Sequence, residues 1–145
     1  MRRTAITLCV LAVAMAAPLA AHEHASGVVK ERMDAMTDMA KRQKAISQRL
    51  KSKRDLAKIK TDAEAIAVHA AHIAHLFPAG STQSPTRARA AIWQNWPDFE
   101  KKAEALEAAS RALAGTGGGD SQVQFAAEAV TRTCTACHEK YRTRK

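Results

Sequence analysis

Aromatic side chains make up only 4% of the 145 residues, and β-branched residues seldom alternate with polar ones. A chain so poor in strand-forming pattern is not expected to build a sheet. Cysteine is scarce as well. Of the three present, Cys9 lies in an N-terminal apolar run, leaving Cys134 and Cys137 three positions apart, which excludes a disulfide framework. No stretch is apolar for long enough to span a bilayer, since the run from Ala5 to Ala17 is too short. There is no nucleophilic triad, no pair of catalytic carboxylates and no phosphate-binding loop, so no enzyme is expected.

What the N-terminus does contain is a three-part export pattern. Met1-Arg2-Arg3 is a positive start, the apolar run follows, and Pro18-Leu19-Ala20-Ala21 supplies small residues for cleavage. Residues 1–21 are read as a signal peptide cut near Ala21, and residues 22–145 as one periplasmic domain with no integral membrane segment. Losing Arg2 and Arg3 from the 23 basic side chains leaves 21 against 14 acidic ones, a formal charge of +7. A basic surface steers acidic partners toward it. Nucleic acid is excluded, because the charges are scattered and the destination lies outside the cytoplasm.

Apolar spacing predicts four helices. The first runs from about Gly27 to Lys53, with Val29, Met33, Met36 and Ala40 as its stripe, drifting to Met39, Ile46 and Leu50. Thr61-Asp62-Ala63-Glu64 reads as a capping box opening the second, which keeps Ile66, Ala70, Ile73 and Phe77 on one face and stops at Pro78. The third starts near Pro97 and ends at Gly115, with the stripe Phe99, Ala103, Leu106, Ser110 and Leu113. The fourth is capped by Asp120 or Ser121 and carries Val123, Ala127, Val130, Cys134, Cys137 and Tyr141 along one seam. The fold class expected is all-α, an antiparallel four-helix bundle.

On that seam Cys134-Thr135-Ala136-Cys137-His138 has the spacing of c-type haem attachment. Two thiols three apart on a helix face the same side and can each add to a vinyl group. The histidine that follows is placed to ligate the iron. A thioredoxin-like pair would want a preceding strand, and a zinc site would want more ligands than His69, His72 and His75 offer. One haem c per chain, bound covalently, is therefore expected.

A haem motif at the end of the last helix, followed by Glu139-Lys140-Tyr141-Arg142, resembles the class II cytochromes c, the cytochrome c prime family. Ala91-Ile92-Trp93 and the later Phe99 resemble that family too, and the likeness covers essentially the whole chain after the leader. The resemblance implies that Arg32 lies near a haem propionate and that Met36, four residues on, stands over the distal face. Low-spin members carry a ligating methionine there, so Met36 looks like the sixth ligand and the chain like a carrier of single electrons between periplasmic redox proteins. The alternative is a five-coordinate cytochrome c prime that binds nitric oxide or carbon monoxide, with Met36 as packing. Family members often pair through their first two helices, so a homodimer is compatible with the resemblance. A further alternative, from another class, is a periplasmic copper or nickel protein using His69, His72 and His75 together with the terminus His22-Glu23-His24. The plainer reading of that histidine row is that His72 and His75 face solvent and His69 sits at the boundary.

Overall fold

In the computed structural model residues 25–52 and 55–144 are described. The expected signal peptide, Cys9 and the His22-Glu23-His24 terminus lie outside them. Five helices follow in order: α1 (Gly27–Ser52), α2 (Leu56–Ala71), α3 (Ala91–Gln94), α4 (Trp96–Gly115) and α5 (Asp120–Tyr141). α3 is a single turn, and the four long helices make the expected bundle. Among the described residues the only extended pairing is an isolated bridge between Ala88 and Arg142. α1 packs on α2, α2 on α4 and α4 on α5, while α1 and α5 meet far more thinly.

The stripe of α4 is buried as its spacing predicts: Phe99, Ala103, Leu106, Ser110 and Leu113. Pro97 sits in the first turn, where its missing N–H costs nothing, and Asp98 beside it complements the positive end of the helix. In α5, Val123, Ala127, Val130 and Tyr141 are buried. Its cap is Gly119 in extended conformation, with Asp120 already in the first turn and no side-chain cap.

Besides that cap, expected at Asp120 or Ser121, two further expectations need correction. α2 does not open at Thr61. It begins at Leu56, capped by Asp55, whose side chain accepts the Lys58 amide at 3.2 Å. Asp55 has a left-handed backbone, φ 65° and ψ 58°, which short polar residues tolerate. The Ala57-Lys58-Ile59-Lys60 stretch, expected to lie ahead of the second helix, is made of residues that tolerate a helix, and Ile59 is buried. Thr61 lies inside the helix, its hydroxyl donating to the Ala57 carbonyl at 3.1 Å. α2 also ends sooner, at Ala71, and a 3-10 turn over Ala74–Leu76 carries the chain on to Phe77.

The second correction concerns α1. Ala40 is exposed, and the line facing the bundle runs Val29, Arg32, Met36, Met39, Gln43, Ile46 and Leu50, alternating three and four residues. Two polar residues occupy this otherwise apolar seam. Gln43 crosses to α5, its Nε2 donating to Thr131 Oγ1 at 2.7 Å, while its Oε1 is buried without a partner. Arg32 is only 4% exposed, so it is no solvated surface charge.

Leu113 is fully buried and Phe125 is 67% exposed, although both are apolar helix residues. Leu113→Ala is expected to destabilise the protein by about 2–5 kcal/mol and Phe125→Ala by less than about 0.5 kcal/mol, measured by urea unfolding.

Candidate functional site

The seam of α5 ends in chemistry. Val123, Ala127 and Val130 are buried, and the next two seam positions, Cys134 and Cys137, are half-buried free thiols packed against the core. Burial raises the pKa of both, that of Cys137 to about 11, so both are protonated thiols at neutral pH. His138 turns off the seam and is exposed as a residue. Partial desolvation of its ring, and then the charges of Arg142 and Arg87, lower its pKa. That favours neutral imidazole, the form that ligates a metal.

The end of α5 is held in place by contacts that no local pattern announces. The Tyr141 hydroxyl donates to Asp98 Oδ2 at 2.5 Å, and Lys140 Nζ donates to the same oxygen at 2.9 Å. Phe99 sits among three other aromatics. Its ring lies 4.9 Å from Phe77, 5.4 Å from Tyr141 and 5.5 Å from Trp96, the first two edge-on. Trp93 ties the preceding loop down by donating to the Phe77 and Pro78 carbonyls at 3.0 and 3.1 Å.

Opposite, α1 presents three methionines in different surroundings. Met39 belongs to the buried core. Met36 is half-buried and packs against the same cluster as Cys134 and Cys137, whereas Met33, also half-buried, is not part of it. One turn before Met36, the Arg32 guanidinium is wrapped by the loop that follows α2. Nε donates to the Leu76 carbonyl at 2.9 Å, Nη1 to the Ser81 carbonyl and Thr86 Oγ1, and Nη2 to the Ser81 carbonyl and hydroxyl. The guanidinium carbon also stands 4.1 Å over the Phe77 ring. Every acceptor is neutral. No Asp or Glu among the described residues pairs with this buried cation, whose pKa burial lowers.

The histidines of α2 and the turn after it do not converge. His69 Nε2 lies 3.0 Å from Asp38 Oδ2 on α1, and His72 and His75 are exposed, with ring centres 6.2 Å apart. Among the described residues no three His, Cys, Asp or Glu side chains gather as a metal site. A cavity of about 250 Å³ opens at the other end of the bundle, bounded by Leu50, Leu56, Ile59 and Val123, and it includes none of the expected site residues.

The donor set fits a covalently held haem. Two unpaired thiols share the inner face of α5, an imidazole follows them, and α1 stands across a thin helix contact with a thioether and an uncompensated buried cation. Residues 27–142 match the family described as Cytochrome C'. The chain belongs to the cytochrome c' family. It is therefore a c-type haem protein. A cytochrome c' from Pararhodospirillum photometricum is 32% identical over 118 residues, 79% of this chain and 94% of that one. A cytochrome c-556 from Agrobacterium tumefaciens (strain II Chrys) is 34% identical over 92 residues, 63% of this chain and 75% of that one. Among solved structures, the nitric oxide complex of a mutant cytochrome c prime from Alcaligenes xylosoxidans superposes with a TM-score of 0.72 at 27% identity, covering 81% of this chain and 94% of that one.

The partners of Arg32, namely Leu76, Ser81 and Thr86, and those of Tyr141 escape sequence reasoning. They are separated by 43 to 54 positions and belong to no periodic pattern. In this cytochrome c' chain, Arg32→Met strips the bonds from buried carbonyls and is expected to cost about 2–3 kcal/mol in urea unfolding. Arg32→Lys recovers little of it, because an ammonium cannot reproduce the fork.

Asp98 supplies a pH dependence. The Tyr141 hydroxyl first, then Lys140, hold its carboxyl below the usual aspartate range. Its contribution is therefore complete above the unfolded carboxylate range and disappears as pH falls through the lower, folded value. Asp98→Asn is expected to lower the unfolding midpoint at pH 7, with the difference from the unaltered protein vanishing in strong acid. A difference that persists there contradicts the assignment.

Proposed function

We propose that the chain is an exported monohaem cytochrome, its haem c held covalently by Cys134 and Cys137 with His138 as an iron ligand, and its opposite haem face open to nitric oxide or carbon monoxide. The observation that carries this is the pair of free thiols on the inner face of α5 followed directly by His138. Support for the open face comes from the family match and from the Alcaligenes xylosoxidans relative, whose structure is that of a nitric oxide complex. The comparisons thus favour the gas-binding alternative over the Met36-ligated carrier expected from the sequence.

Bound haem supplies an iron that takes up a diatomic gas or changes oxidation state by one electron. The chain's own residues position it. The α5 seam orients both thiols inward, and the contact of Tyr141 with Asp98 holds the turn that bears His138. Arg32 brings a buried positive charge with no carboxylate partner, which suits a propionate. No substrate bond is broken in either role, so the protein is not read as an enzyme.

A second reading, electron transfer with Met36 as sixth ligand, is favoured by one specific observation. Met36 is the methionine that is half-buried and packs against the same core as Cys134 and Cys137, whereas Met39 belongs to the core itself and Met33 is not part of it. A thioether opposite imidazole favours low-spin iron and a raised potential. The reading extends to the periplasm as location, residues 22–145 as the mature domain, acidic redox partners and pairing of two copies through α1 and α2. Among the described helices none is long and apolar enough to cross a membrane. The copper or nickel alternative has little support, since His69 is turned toward Asp38 and away from a shared site with His72 and His75.

The visible spectrum of the reduced holoprotein, with and without carbon monoxide and beside Met36→Ala, separates the readings. The proposal expects a broad high-spin spectrum that shifts with carbon monoxide in both proteins. Sharp low-spin bands indifferent to carbon monoxide, turning high-spin in Met36→Ala, would contradict it and establish the second reading.

A further inference from the structure

The loop before α3 is laced to the chain just beyond α5. The Arg89 amide donates to the Tyr141 carbonyl at 3.0 Å, the Thr143 amide donates to the Arg87 carbonyl at 2.9 Å, and Ala88 bridges Arg142. The side chains reinforce the strap. Arg87 Nη2 donates to the Thr143 carbonyl, and Arg89 Nη1 to the Lys140 carbonyl at 3.0 Å, at the negative end of α5. Each of these bonds uses one N–H of a fork, and the rest of each guanidinium and its whole charge remain.

Three arginines, Arg87, Arg89 and Arg142, thus stand on one short strap just beyond the turn of His138, and no Asp or Glu among the described residues pairs with them. The contrast with the α1–α2 face is plain. There Asp38 and Asp62 take up Arg42 and Arg49, and Glu64 and Glu107 take up Arg111 across α2 and α4. The arginines there are paired by the protein's own carboxylates, whereas no carboxylate among the described residues pairs with those of the strap.

We propose that the strap of Arg87, Arg89 and Arg142 is the docking surface for an acidic one-electron redox protein, which exchanges electrons with the haem iron from the His138 side. This rests on the reading that the iron changes oxidation state, and it holds for either distal ligation. In the step itself one electron passes from the reduced partner to ferric iron, giving the ferrous protein and a partner oxidised by one electron. No bond forms or breaks. Carboxylates on the partner find at the strap two guanidinium forks, of Arg87 and Arg89, each tied to the main chain by one hydrogen bond, which lose less side-chain entropy on association than free lysines would. Such charges act on the encounter rate and its salt dependence more than on the bound state.

The test uses the ferric holoprotein and a reduced acidic flavodoxin as donor, followed by stopped flow across a range of ionic strength. Two triple variants carry the same net charge: Arg87→Gln with Arg89→Gln and Arg142→Gln, and Lys41→Gln with Lys44→Gln and Lys51→Gln on the exposed face of α1. The strap variant is expected to slow reduction about tenfold at low salt and to flatten the salt dependence, while the α1 variant changes the rate by less than about twofold. Equal slowing by both variants means that net charge alone matters and overturns the proposal. So does a strap variant that matches the unaltered protein, or an unaltered protein that flavodoxin does not reduce. A strap variant with a changed haem spectrum overturns it too, by assigning these arginines to the cofactor's own carboxylates. The carbon monoxide titration reads the distal face independently of all four outcomes.

Discussion

The constraint on which this molecule depends is that the packing line of α5 and the line carrying the haem motif are the same line. Val123, Ala127 and Val130 are buried against α4, and the same three-and-four spacing carries on through Cys134 and Cys137 to buried Tyr141. A helix cannot rotate its last turns independently of its first. Burying the apolar half therefore aims both thiols inward, so that a haem attached to them would lie within the bundle. Tyr141 closes the line against α4 through Asp98 and the Phe99 cluster, so the turn bearing His138 is fixed from both sides.

α1 answers this with a seam that is apolar except at two places. Burying the Arg32 cation is costly unless its hydrogen bonds are made, and the loop after α2 makes all of them from neutral acceptors. The cation is solvated by the protein's own carbonyls and hydroxyls, and its charge is left uncompensated. A buried positive charge one turn from Met36, across the thin contact between α1 and α5, suits a cofactor that carries two carboxylates. Gln43 donates its amide nitrogen to Thr131 and ties α1 to α5 further along the same pair of helices.

Much of this was legible in the sequence. The α4 stripe, the α5 seam and the haem motif obey strict helical spacing, and periodicity reads them residue by residue. Thr61 misled because a capping box is a local signal, whereas Ile59 is drawn into the helix by burial against other elements. Arg32 and Gln43 broke the apolar stripe of α1, so pattern reading passed over them to Ala40, which is exposed. Arg32 itself was named only through family resemblance. Its loop partners, the contact of Tyr141 with Asp98 and the arginine strap join residues distant in the chain, and no spacing rule connects such positions. The distal face is the least legible part, because a half-buried methionine at helical spacing serves equally as packing or as a ligand.

The central claim is that this chain is exported and carries one haem bound through both thiols, and the intact mass of the mature protein, taken under denaturing conditions, tests it most directly. The account predicts a single species with the mass of residues 22–145, or a chain cut within a residue or two of Ala21, plus one haem that denaturation does not release. A mass equal to the polypeptide alone, from cells competent in haem attachment, would contradict it.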